Sequence, residues 1–183
     1  MSSPLGNPRL VILDRDGVLN HEGPGGYVMA VADWRWQSGA LQALKHLGRG
    51  RQLMVATNQS CVGRGLTTAE DIDAVHAHFL TTVHAADAHV DGIFVCPHLP
   101  DAGCACRKPA PGLLLQALQS AGVKPDEALF VGDAVTDFQA AQAAGVRFAL
   151  VRTGKGAASE ASGLISGAPV FDDLMAVALG VRG

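Results

Sequence analysis

Aromatic residues are scarce in this chain: Phe, Trp and Tyr together make up 5% of its 183 residues, and charged residues only 17%. Lys and Arg are scattered and the formal net charge is −3, so the basic surface that nucleic-acid binding requires is missing. No apolar run approaches the roughly 20 residues needed to cross a bilayer, which excludes a membrane-spanning helix. The start, M-S-S-P-L-G-N-P, lacks the basic opening and apolar centre of a secretion signal, and the expectation is a cytoplasmic protein. Cysteine is sparse too, at four. In a reducing compartment four thiols point to metal or catalysis rather than to a disulfide scaffold. What is plentiful is apolar side chain, 48% of the sequence, enough for a chain of this length to form one domain over residues 1–183 with its own core.

The stretch around which the rest is organised is Leu10 to Asn20, L-V-I-L-D-R-D-G-V-L-N. Four apolar residues, Leu10 to Leu13, read as a buried strand, and Asp14 and Asp16 stand just past its carboxyl end. Two acids this close repel, and they are kept together most simply by a hard, oxygen-seeking cation such as Mg2+. Gly17 permits a sharp turn after the second acid.

Further strands are expected at Gln52 to Ala56, Gly92 to Val95, Ala128 to Val131 and Phe148 to Val151, with a last short one within Val170 to Leu179. Between them fall helices: Ser38 to Leu47 with Ser38 as cap, one running from a Thr67–Glu70 capping box to about His84, Pro111 to Ala121, and Thr136 to Ala144. Cys61 to Gly65 reads as a glycine-bearing loop, and His21 to Gln37 as a long flap in which Trp34 and Trp36 tether the segment to the core. His76, His78, His84 and His89 lie on or beside one helix without acidic partners and read as surface residues.

Strands alternating with helices imply a doubly wound parallel α/β sheet covered on both faces. Ligands of such sheets bind beyond the carboxyl ends of the strands, which gathers Asp14, Asp16, Thr57, Asn58 and Asp133 at one crevice. A phosphate monoester fits there. Asp14 and Asp133 would hold Mg2+, Lys108 would supply a fixed positive charge, and Thr57 and Asn58 would donate to phosphoryl oxygens. One acid of the pair would attack phosphorus and the other would move the proton; composition and spacing leave open which does which. Arg107, with its planar fork, is a candidate for gripping hydroxyls or a second phosphate. Asp137, one helical turn beyond Asp133, would support Lys108 or the metal. Gly154, Lys155 and Gly156 lack the spacing of a nucleotide phosphate loop.

Cys96, His98, Cys104 and Cys106 form C-x-H followed by C-x-C within one loop, 96–106. Four soft or borderline ligands suit tetrahedral Zn2+ with no position open to water, hence a structural ion. Closing the loop would fix the direction of the adjoining Arg107 and Lys108.

The motifs D-R-D-G-V-L-N, T-N-Q-S, C-P-H with C-x-C-R-K-P-x-P-G, G-D-x-x-x-D and V-R-T-G-K together resemble the phosphatases of the haloacid dehalogenase superfamily, and within them the subgroup acting on heptose bisphosphate, with histidinol-phosphate phosphatases close behind. The resemblance implies a Rossmann-like fold without a large cap domain. It implies Asp14 as nucleophile, Asp16 as general acid/base that also reaches Mg2+ through its backbone carbonyl, and Mg2+ held by Asp14, Asp16 and Asp133. Both groups carry the zinc loop. Substrate contacts are expected from Asn58, Gln59, Ser60 and Arg107, and from the flap residues Pro24, Gly25, Gly26 and Tyr27, although the insert H-E-G-P-G-G departs from the subgroup's shorter acidic turn. The expected reaction is hydrolysis of a small sugar phosphate by a monomer, through an aspartyl-phosphate. The alternatives are histidinol-phosphate hydrolysis and, in another class, a phosphate-accepting receiver module, which the Asp16 acid/base argues against.

Overall fold

The computed structural model describes residues 5–181. Six parallel strands, β1 (Leu10–Leu13), β2 (Gln52–Asn58), β3 (Gly92–Cys96), β4 (Ala128–Gly132), β5 (Arg147–Val151) and β6 (Val170–Phe171), lie in the order β3-β2-β1-β4-β5-β6. The helices in chain order are α1 (Ala40–Leu47), α2 (Ser60–Gly63), α3 (Ala69–Ala85), α4 (Gly112–Ala121), α5 (Val135–Ala144), α6 (Gly156–Ala161) and α7 (Leu174–Gly180). Successive residues of a strand point to opposite faces. Val11 and Leu13 therefore join Val55, Val131 and Val151 in a core completed by α1, α3 and α7, while Leu10 and Ile12 join Met54, Phe130 and Leu150 against α4 and α5. This is why β1 and β4 are unbroken apolar runs: both faces are covered. The winding sense reverses between β1 and β4, which opens a crevice at their carboxyl ends. Among the described residues no helix is long and apolar enough to cross a membrane.

Local readings differ from the structure in several places. Ser38 does not cap α1; the helix begins after Gly39, whose φ of 73° is a left-handed turn. The capping box of α3 is Thr68–Asp71, one residue later than Thr67–Glu70, because the Asp71 carboxylate collects the Thr68 N–H at 3.1 Å and the hydroxyls of both Thr67 and Thr68. Part of the Cys61–Gly65 loop is a helical turn, and α6 has no apolar period by which to find it. β2 runs two residues further than Ala56, so Thr57 and Asn58 belong to the strand itself. The flap is tethered as expected: the rings of Trp34 and Trp36 lie 5.3 and 5.6 Å from that of Phe79 on α3. It carries two 3-10 turns, Pro24–Gly26 and Val31–Asp33.

Candidate active site

β1 delivers Asp14 to the crevice, where its N–H donates to the Val131 carbonyl of β4 at 2.9 Å. Oδ1 of Asp14 accepts from the Arg15 N–H and from Lys108 Nζ, each at 2.8 Å. The Lys108 ammonium is 3% exposed and also meets Asp137 Oδ1 at 2.7 Å and the Ala56 carbonyl at 3.0 Å. Burial works against its charge, but the carboxylates of Asp137 and Asp14 outweigh that penalty and hold it above its ordinary range. Its backbone is clamped by Asn58, whose Nδ2 donates to the Lys108 carbonyl at 3.1 Å and whose Oδ1 accepts from the Lys108 N–H at 3.2 Å. Burial, and then the Asp137 charge, push the Asp14 carboxyl well up despite Lys108.

Asp16 has a different set of partners. Asn20 Nδ2 donates to its Oδ1 at 2.7 Å, Gln59 Nε2 to its Oδ2 at 2.7 Å, and Arg15 reaches Oδ1 through Nε and Nη2 at 3.3 and 3.0 Å. Asp14 thus faces an ammonium across the crevice, whereas Asp16 rests on two neutral amides and a guanidinium.

Asp133 follows β4. Its Oδ2 accepts from the Lys155 N–H at 2.7 Å, and its carbonyl from Ser159 Oγ at 2.8 Å. Burial and the neighbouring Asp137 raise its carboxyl to about 7. Two glycines with positive φ, Gly17 and Gly154, make room for that carboxylate, since a Cβ on either would fall inside it. Asp137, on the first turn of α5, accepts the Asp133 and Ala134 N–H groups at 3.2 and 3.1 Å through its other oxygen. One oxygen each from Asp14, Asp133 and Asp137 lies within 4.8 Å of the others, all three residues buried. With Lys108 as the ammonium among them, negative charge is in excess, and an all-oxygen donor set suits a hard divalent cation. The expected trio of Asp14, Asp16 and Asp133 differs from this one: the side chain of Asp16 is not in the cluster and that of Asp137 is.

These groups open on a cavity of about 360 Å3. Asp14, Asp16, Thr57, Asn58, Lys108 and Asp133 line it, as do Ser60, Arg107 and the flap residues Gly25, Gly26 and Tyr27. Pro24 and Gln59 do not. Gln59 is fully buried and turned inward, donating to Asp16 and to Thr57 Oγ1 (2.8 Å). Asn58 has likewise spent its amide on Lys108. The Tyr27 hydroxyl sits 3.1 Å from Ser60 Oγ, which closes one side of the flap. Sequence reasoning missed Glu22 and Lys155, which pair at 2.8 Å on the cavity wall. It also placed His76 on the surface, whereas it is buried against Arg15. The signal was there, because His76 falls at helical spacing among Ile72, Val75, Phe79 and Val83.

Beside the cavity, Cys96 Sγ lies 3.4 Å from His98 Nδ1 and 3.7 Å from Cys104 Sγ, and Cys106 Sγ lies 3.2 and 3.5 Å from the same two ligand atoms. These edges match a tetrahedron around one ion, for metal–sulfur bonds of about 2.3 Å imply sulfur–sulfur edges of roughly 3.8 Å. Burial pushes the Cys96 thiol up to about 12, so an ion is what would draw it into the thiolate form. The four could hold one metal.

A doubly wound sheet with paired acids beyond its central strand, a buried lysine between carboxylates and an oxygen-rich cation site defines a hydrolase that handles phosphoryl groups. Residues 105–177 match the family described as HAD-hydrolase-like. The chain belongs to these hydrolases, in the branch formed by the heptose-1,7-bisphosphate 7-phosphatases. It is 38% identical over 171 residues to the D-glycero-beta-D-manno-heptose-1,7-bisphosphate 7-phosphatase of Pseudomonas putida, a match spanning 93% of this chain and 97% of the relative. To the enzyme of that name from Bordetella bronchiseptica it is 41% identical over 172 residues, 93% of this chain and 96% of the relative. The crystal structure of D,D-heptose 1,7-bisphosphate phosphatase from B. bronchiseptica, complexed with magnesium and phosphate, superposes with a TM-score of 0.89 at 40% identity over 93% of this chain and 96% of that one.

Proposed function

We propose that this phosphatase removes the 7-phosphate of D-glycero-D-manno-heptose 1,7-bisphosphate through an aspartyl-phosphate on Asp14. The observation that carries the reading is that Asp14 and Asp16 open on one cavity with unlike partners, which equips them for unlike roles. Lys108 and the Arg15 N–H, both on Oδ1, hold the Asp14 carboxylate in position to attack phosphorus. The bond from phosphorus to the sugar oxygen breaks, and Asp16 gives its proton to the departing alkoxide. Asp16 then takes a proton from water, the water oxygen bonds to phosphorus, and the bond to Asp14 breaks to release phosphate. Lys108 holds charge against Asp14 throughout, and Thr57 is placed to donate to the transferred group. Mg2+, which Asp14, Asp133 and the Asp16 carbonyl would hold, supplies the neutralisation that lets a phosphate dianion approach carboxylates.

Zn2+ on Cys96, His98, Cys104 and Cys106 would be structural and would fix Arg107 and Lys108, which directly follow Cys106. Arg107, on the cavity wall, is the group suited to the substrate's second phosphate. The relatives support the choice of a heptose bisphosphate over histidinol phosphate. Phosphate release from both substrates, measured side by side with and without Mg2+, tests it. Preference for the heptose bisphosphate with an absolute Mg2+ requirement is expected; turnover of neither beyond that of p-nitrophenyl phosphate would overturn the assignment.

A further inference from the structure

The side chains of Arg15 and His76 are buried beneath the crevice and take no part in the steps above. Arg15 is 1% exposed and His76 6%. A guanidinium carries five N–H donors and no acceptor, and burying it without partners is costly. Here Nε and Nη2 are spent on Asp16 Oδ1, Nη2 also approaches the Val28 carbonyl of the flap at 3.5 Å, and Nη1 stands 3.1 Å from His76 Nε2. Because Arg15 can only donate, Nε2 of His76 must present its lone pair, which puts the imidazole proton on Nδ1 and leaves the ring neutral. The fork therefore spans two acceptors on different elements, the acid after β1 and a ring projecting from α3.

We propose that His76 and Arg15 are positioning residues for Asp16: His76 fixes the rotation of the guanidinium, and the guanidinium fixes the carboxylate that moves the proton. This rests on the acid/base reading of Asp16. Asn20 and Gln59 also grip Asp16, but each is a single neutral amide. Arg15 brings the charged contact and ties it to α3, an element long enough to be rigid. Without His76 the Nη1 end would be buried with no acceptor, and the fork would turn toward the flap carbonyl or toward water.

Leaving-group chemistry separates this role from simple support of the fold. An alkoxide must be protonated as it departs, whereas p-nitrophenolate leaves unaided, so a defect in placing Asp16 slows alkyl phosphate cleavage selectively. Single-turnover cleavage of a sugar phosphate and of p-nitrophenyl phosphate would be compared in His76→Leu, His76→Gln, Arg15→Lys and Asp16→Asn, each checked for folding by urea titration. His76→Leu is expected to lose roughly 10- to 100-fold on the sugar phosphate and about threefold or less on the aryl ester, with substrate affinity unchanged. His76→Gln, whose carbonyl can accept from Nη1, should restore most of the loss. Arg15→Lys, which keeps the charge and loses the fork, should show the same selectivity as His76→Leu even if the leucine variant fails to fold. Equal slowing of both esters, or no slowing of either, with Asp16→Asn still selective, overturns the positioning role alone. Loss of selectivity in Asp16→Asn itself would overturn the acid/base reading.

Discussion

Lys108 shows how far one buried charge sets the terms for its neighbours. Its ammonium lies between Asp14 and Asp137 at 2.8 and 2.7 Å, and both acids are themselves buried. Lys108→Met should therefore destabilise the fold by about 3–5 kcal/mol, because it leaves two uncompensated carboxylates, and the loss should appear as a lower urea midpoint. Asp14→Asn removes only one of the two partners and is expected to fold. It should lose at least about 10⁴-fold in kcat, since no group near phosphorus replaces the nucleophile; phosphate release in Mg2+ reads this directly. At this scale much was legible. The places of Asp14, Asp16 and Asp133 could be read because acids just past the carboxyl ends of β1 and β4 meet at one crevice, and that of Lys108 because it directly follows the 96–106 loop. Arg15 and His76 did not, since a charged or polar residue reads as surface until a partner from 61 positions away is seen to satisfy it. The burial of Gln59 was hidden for a related reason: a polar residue beside a site looks like a group open to ligand, and only the structure shows that it faces inward.

Elements translate these pairings into pH and metal dependence. On α3, burial and the Arg15 guanidinium pull His76 down to about 4 from the ordinary value of 6.5. The unfolded chain then binds a proton near pH 6.5 that the folded chain refuses until about pH 4, so this contribution is complete above 6.5 and is lost as pH falls toward 4. His76→Gln has no such titration. Between pH 7 and pH 4.5 the parent should lose about 2–3 kcal/mol relative to that variant, measured as a difference in urea unfolding free energy in Mg2+. In the 96–106 loop, the four ligand atoms close a segment that directly precedes Arg107 and Lys108. Stripping the metal that these four residues could hold with a chelator, then assaying in fresh Mg2+, should lower both thermal stability and kcat, and adding Zn2+ should restore both. The loop was readable from spacing alone. The boundaries of α1, α2 and α3 were less so, because adjacent Thr67 and Thr68, or Ser38 and Gly39, offer competing starts that tertiary packing decides between.

The whole molecule concentrates its charge conflict at one point. Three buried acids converge where the sheet reverses its winding, and the fold tolerates them through Lys108 and whatever cation they bind. Magnesium at about 100 times its Kd should then add about 2.7 kcal/mol to unfolding and raise Tm by roughly 5–10 °C, and calcium-free calorimetry with and without Mg2+ would measure it. The parallel sheet and the crevice were foreseeable from the alternation of apolar runs and helical periods, whereas the strand order emerges only from the pairing in the structure. The tether of the flap through Trp34 and Trp36 was foreseeable too, but its path over the site was not, because that depends on Tyr27 finding Ser60 and Glu22 finding Lys155, contacts with no local signature.

Gly17 and Gly154 meet around the Asp133 carboxylate, one following β1 and the other β5, so that a Cβ on Gly154 would also collide with the backbone of Gly17. Two loops more than a hundred positions apart thus share one slot that admits no side chain from either. A library randomised at both positions and selected for phosphate release should return glycine twice, because alanine at one leaves the other nothing smaller to become. For anyone redesigning specificity, the floor of this site is fixed at that slot, and the open space lies above it beside Gly25 and Gly26, whose own positive φ favours glycine, so that side chains there are best introduced from neighbouring positions.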